Sequence, residues 1–194
     1  MSNTKSLKNS TEKLVLAAVM TALVVVLQLM GQFIHLGPFS ISLVLVPIVI
    51  GAAVCGPKIG AWLGFVFGVV VLFTDAAAFL AISVPGTVVT VLLKGAASGL
   101  IAGLVYQLLA KKNEFLAVIV AAIVCPVVNT GIFLLGCVLF FFDTIQSWGV
   151  AAGFTNVASY MFLGLVGGNF LVELAANIVL GPVIERILSI RKQK

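Results

Sequence analysis

Apolar runs fill most of this chain, and the short polar breaks between them carry the basic residues in small clusters. The runs cover 13–34, 41–56, 58–75, 86–110, 115–142 and 162–188. About 20 apolar residues are needed to cross a bilayer, so the pattern predicts six membrane-spanning helices in one domain, 13–190, between short tails at 1–12 and 191–194. The second and third runs are short and bounded by Pro38, Gly56–Pro57 and Pro85. Short spans can still cross where the flanking segments are buried in protein rather than in lipid. The fifth is long enough to tilt or to extend past the membrane surface.

Lysine and arginine orient the spans. Lys5, Lys8 and Lys13 precede the first, Lys58 lies between the second and third, and Lys111 and Lys112 lie between the fourth and fifth. Arg186, Arg191, Lys192 and Lys194 end the chain. With six spans, all of these fall on one side, the cytoplasm by the positive-inside rule, and both termini lie there. The other side receives Asp75 and Asp143 and no basic residue. Five or seven spans would break this partition. The eleventh basic residue, Lys94, sits inside the fourth span, and topology does not account for it.

Composition agrees with the pattern: 62% of residues are hydrophobic and 9% charged, against about 25% charged in a soluble domain. The expected fold class is an all-α polytopic membrane protein, a compact six-helix bundle. The net charge of +5 reads as topology control and not as a nucleic-acid surface, because the basic residues sit between apolar runs. Cys55, Cys125 and Cys137 have no paired spacing, so they predict neither a disulfide framework nor a metal site. The lysines before LVLAAVMTALVVVLQLM resemble a signal peptide, but the run is longer than an h-region and no small-x-small site follows it. A retained first helix is expected.

The segments between spans differ by side. The cytoplasmic ones are minimal, CGPK and AKKNE; the outside ones are longer, at 35–41, 75–86 and 143–161. The last contains Trp148, Phe154 and Tyr160. It is too polar for a span and too apolar for a solvated loop, which leaves a lid over the outer mouth or an interfacial aromatic anchor.

Gly56, Gly60, Gly64 and Gly68 recur every four residues, as do Gly95, Gly99 and Gly103, and Gly164 with Gly168. Such faces let neighbouring helices pack closely. Ala18 and Ala22 make one A-x-x-x-A step in the first span. The polar residues within the spans are few. Asn169, Glu173 and Asn177, at i, i+4 and i+8, share one face of the sixth span. At 1.5 Å per residue, Lys94 lies roughly 12 Å, and Glu173 roughly 16 Å, below the outer ends of their helices. The two could form a helix-clamping ion pair or opposite walls of one pocket; intramembrane charges usually mark a site.

The lone histidine, His35, cannot build a metal site or a triad by itself, and no G-x-S-x-G, Walker A or H-E-x-x-H motif is present. Catalysis is not expected, nor is self-powered ion-coupled transport.

The stretch GPFSISLVLVPIVIGAAVCGPKIGAWLGFVFGVV resembles the helix 2–3 region of substrate-binding S components of energy-coupling-factor (ECF) vitamin transporters. The features that carry the likeness are Pro47 within helix 2 and G-P-x-x-G at the turn (Gly56, Pro57, Gly60). Ala18 and Ala22 correspond to the helix 1 motif by which such subunits dock on the transmembrane T component. With six spans and inside termini, the likeness covers about 12–190. It implies a vitamin-binding subunit in a prokaryotic cell membrane, with no cofactor, no nucleic acid and no ATPase of its own. A T component and two ABC-type ATPases would use ATP to topple the loaded subunit and release vitamin inside. The implied site opens outward, between helices 4–6 and the outer loops. The candidate ligand-side residues are Lys94, Asn129, Asn169, Glu173 and Asn177 from the spans, with His35, Trp148 and Tyr160 from the outside segments.

The chain departs from the riboflavin branch, which usually has an acidic residue before the helix 2 proline, where Leu45 and Val46 stand here. It lacks the helix 6 lysine of the biotin branch, having Glu173 and Asn177 in that region. The likeness is to a general group that includes pantothenate-type members. Pantothenate is an anion rich in hydroxyl and amide groups, which one lysine and several amides would suit. Riboflavin or another vitamin, a structural membrane protein and a stand-alone permease are the alternatives.

Overall fold

A computed structural model describes residues 2–31, 33, 35–36, 39–40 and 43–192. Helix α1 is Ser2–Gly31, followed by the two-residue strands β1 (His35–Leu36) and β2 (Phe39–Ser40), which pair antiparallel. Next come α2 (Leu45–Cys55), α3 (Pro57–Thr74), α4 (Ala77–Leu80), α5 (Val84–Leu109), α6 (Glu114–Phe140), α7 (Phe142–Ala151) and α8 (Val157–Ser159). A π-helical segment, Tyr160–Leu165, leads into α9 (Gly167–Lys192).

The polar breaks of the sequence are helix caps. Gly56, at φ 104°, turns the chain between α2 and α3, a backbone that a side chain would strain. Pro57 then opens α3, where its missing N–H costs nothing. The Ser83 hydroxyl accepts from the Gly86 N–H at the start of α5, and Asn113 Oδ1 accepts from the Leu116 N–H at 3.0 Å at the start of α6.

The protein is an all-α polytopic membrane protein. Thr11–Gly31, Pro57–Thr74, Val84–Leu109 and Glu114–Phe140 are each long and apolar enough to cross a bilayer. Val157–Leu165 with Gly167–Pro182 makes a fifth span if the pair, bent by 46°, is counted as one. The expected second span, 41–56, is helical over the 11 residues of α2, about 16 Å of helix against a hydrocarbon core of about 30 Å. Residues 41 and 42 lie outside the described residues. The break before α9 has a local cause: Gly164, Gly167 and Gly168 weaken the helix there, and the Val166 N–H bonds to Met161 O, one residue further back than an α-helix allows. Two of the segments expected as outside loops contain helix: α4 lies within 75–86, and α8 and all but the first residue of α7 lie within 143–161.

α3 and α5 form the most extensive helix contact. A Cβ on Gly64 would overlap the Gly95 carbonyl, and one on Gly60 would overlap that of Gly99, so the two backbones touch. Two apolar clusters build on this pair. The larger joins α1, α2, α3, α5 and the first half of α6 around Leu45, Ile48, Leu63 and Val118. The second lies at the end of the bundle away from Lys58 and Lys111–Lys112, and joins α4, α7 and the π segment around Phe79, Phe141, Ile145 and Leu165. Large apolar side chains such as Leu14, Val19, Phe73, Leu163 and Val179 are exposed on the periphery, as in a lipid-facing surface.

Candidate ligand-binding site

Between the two apolar clusters lies a cavity of about 90 Å³. Three pairs of polar or aromatic residues, each spaced i, i+4 on a separate helix, point into it: Thr90 and Lys94 on α5, Asn129 and Phe133 on α6, Asn169 and Glu173 on α9. That spacing puts both members of a pair on one helix face. The α3–α5 backbone contact and a second close approach, where a Cβ on Gly136 would overlap the Thr90 side chain, hold these faces together. Phe67 of α3 and Phe79 of α4 add apolar wall, and Asp75, just beyond α3, closes one side.

Lys94 stands at the centre of this arrangement. Its ammonium lies 5.6 Å from the Phe67 ring centre and 5.3 Å from that of Phe133, within the range of a cation–π contact. Two carboxylates, Glu173 and Asp75, line the same cavity. Around it, Thr90 Oγ1, Asn129 Oδ1 and Asn169 Oδ1 are buried and have no hydrogen-bond partner among the described residues. Buried polar atoms are nearly always paired, so these are the atoms a polar ligand would engage. One cation, two carboxylates, three amides and several rings can hold a small molecule with an acidic group, hydrogen-bonding groups and an apolar part.

Of the expected site residues, Lys94, Asn129, Asn169 and Glu173 line this one cavity. The other expected site residues sit elsewhere. Asn177 is fully buried, outside the cavity wall, and its Nδ2 donates to the Glu173 carbonyl at 2.8 Å. Trp148 packs edge-on against Phe79 at 5.5 Å, one layer behind the wall. Tyr160 packs against Phe154 at 5.5 Å, likewise away from the lining. For His35 the backbone pairing with Ser40 is described; its side chain, like Gly37, Pro38 and Ile41 of the same loop, lies outside the described residues. Ala18 and Ala22 are exposed on α1, off the buried stripe of Ala17, Val24 and Gln28.

Sequence reasoning missed Asp75 and Gln28 as cavity residues, and the phenylalanines altogether. Gln28 Nε2 donates to Asp75 Oδ2 at 2.7 Å, and Thr74 Oγ1 donates to the same oxygen at 2.8 Å. Asp75 reads in the sequence as an outside-facing charge, and its position at a helix end carries no sign of the inward turn. Nothing separates Phe67, Phe79 or Phe133 from the other members of a set of 14 phenylalanines.

The family described as ECF transporter, substrate-specific component, matches residues 12–185. No curated protein and no solved structure matches the chain.

Proposed function

The chain belongs to the substrate-specific components of ECF transporters, and from that premise we propose that it captures a small water-soluble vitamin with an acidic group, pantothenate in the first place, for uptake into a prokaryotic cell. Membership makes it a substrate-binding subunit and not an enzyme, and implies an ECF T component and ATPases as partners. The observation that carries the ligand reading is the convergence of three i, i+4 pairs around Lys94.

In this reading the vitamin carboxylate meets Lys94. A charge-assisted hydrogen bond of that kind is roughly twice as strong as a neutral one. Glu173 balances the lysine before binding, so the empty cavity does not hold an isolated charge. Asn129, Asn169 and Thr90 take the amide and hydroxyl groups, and the phenylalanine rings take the methyl groups. The helical segments are arranged as six, with α2 as the short one, both termini in the cytoplasm and the cavity opening outward beneath α7. ATP is used by the partner subunits, which drive release on the inner side.

Mass spectrometry of small molecules released from the purified, denatured chain tests this directly. Pantothenate is expected at up to one per chain. Recovery of riboflavin or another vitamin would replace the ligand and leave the S-component role standing. Uptake by the chain alone, in cells lacking every ECF module, would point to a stand-alone permease.

A further inference from the structure

We propose that Asp75 is a second ligand-binding residue, the acceptor for an O–H or N–H donor at the far end of the ligand from Lys94, and that Gln28 is its positioning residue. This rests on reading the cavity as the vitamin site. Asp75 follows the last residue of α3 and lines the cavity, as does Gln28 from α1. Its Oδ2 accepts from Gln28 Nε2 at 2.7 Å and from Thr74 Oγ1 at 2.8 Å. Two donors on one oxygen fix the plane of the group and aim it at the cavity. Gln28 is 1% exposed; a glutamine so placed on α1 orients the carboxylate from a separate helix.

The helix register sets the distance between the two charged poles. α3 and α5 run antiparallel with Gly60 against Gly99 and Gly64 against Gly95, which brings Asp75 level with the start of α5. Lys94 is ten residues along α5 from Val84, so the two backbones are about 15 Å apart along the helix axis, less at the side-chain tips. The site is therefore bipolar: a cation deep between Phe67 and Phe133, and a hydrogen-bonded carboxylate near the acidic end. Thr87 and Thr90 lie on the same α5 face between the poles. Such a site selects an elongated molecule with an acid at one end and hydroxyl, amide or ammonium hydrogens at the other. It rejects a molecule acidic at both ends, because the second acid would face Asp75. Pantothenate, with its carboxylate remote from its hydroxyls, belongs to the selected class.

The test is isothermal titration of the purified full chain with pantothenate and with its analogue lacking the terminal hydroxyl. Asp75→Asn keeps the shape and an acceptor for Gln28 and Thr74 but removes the charge. It is expected to weaken pantothenate roughly 10- to 100-fold, and the deoxy analogue no more than about threefold. Unchanged affinity for pantothenate, or equal losses for both compounds, would overturn the proposal. Gln28→Leu removes one of the two donors and leaves Asp75 held by Thr74; it is expected to show the same selective loss at smaller size, and an unselective loss would reduce Gln28 and Asp75 to a clamp between α1 and α3. This variant also serves if Asp75→Asn does not fold. Where the wild-type chain fails to bind pantothenate and releases another vitamin on denaturation, the pantothenate assignment falls by itself. That vitamin and its donor-deleted analogue then take the same comparison, and the selectivity ratio decides Asp75 separately.

Discussion

The Lys94 ammonium lies 5.3 Å from the ring centre of Phe133, which stands one turn along α6 from Asn129. The cation is thus held by a ring face inside the cavity while an amide stands beside it. Lys94→Met keeps much of the length and removes the charge. It should weaken an acidic vitamin by roughly 2–5 kcal/mol, the range for truncating one member of a buried charge pair, and weaken the uncharged amide analogue much less. Titration of both compounds checks this. Equal losses would rule out the cation as a ligand contact, and normal binding with poor thermal stability would make Lys94 a clamp toward Glu173.

The exposed face of α1 carrying Ala18 and Ala22 should be a docking surface for the T component. Ala18→Trp would hold a partner helix off by several ångströms and remove close packing. Vitamin binding by the isolated chain should survive, while uptake by the assembled transporter should fall by an order of magnitude or more. Wild-type uptake by the variant would show that this face meets lipid.

α7 should become better protected when vitamin binds. Trp148 on α7 packs against Phe79, and Phe79 lines the cavity, so a ligand that fixes Phe79 also fixes the helix behind it. Closure of this kind keeps water from the site. Hydrogen exchange in 142–161 should slow on adding vitamin; exchange that ignores the vitamin would leave α7 as an interfacial anchor.

The α3–α5 contact should tolerate no side chain at its closest points. Gly64→Val and Gly95→Val each set a side chain against backbone, and overpacking costs about 1–3 kcal/mol or more where nothing can shift. Gly168 is the control, since a Cβ there meets nothing within 4 Å. Thermal unfolding in detergent should drop for the first two and hold or rise for Gly168→Ala.

The sequence was most legible where one physical constraint acted alone. Backbone groups in lipid must be satisfied within a helix, so the apolar runs could be little else, and Gly56–Pro57 marks a break that the structure keeps. A lysine in an apolar run demands partners, and the i, i+4 spacing of Asn169 and Glu173 names one. The bent start of α9 was less legible, because Gly164, Gly167 and Gly168 allow a break without requiring one. Helical α7 was hidden for a related reason: a segment lying partly on the bundle shows neither a span's hydrophobicity nor a loop's polarity.

By itself, then, the sequence determined the helical membrane class, the anomalous lysine and its polar companions on α6 and α9, because burial in lipid leaves uncompensated charge and open backbone too costly to be accidental. Only the tertiary structure decided that Asp75 turns inward to Gln28, that Phe67 and Phe133 flank the ammonium, and that Trp148, Tyr160 and Asn177 stand behind or below the wall. Those outcomes depend on the register in which Gly60 and Gly64 meet Gly99 and Gly95. Register between helices is set by contacts distant in the chain, which local pattern does not encode.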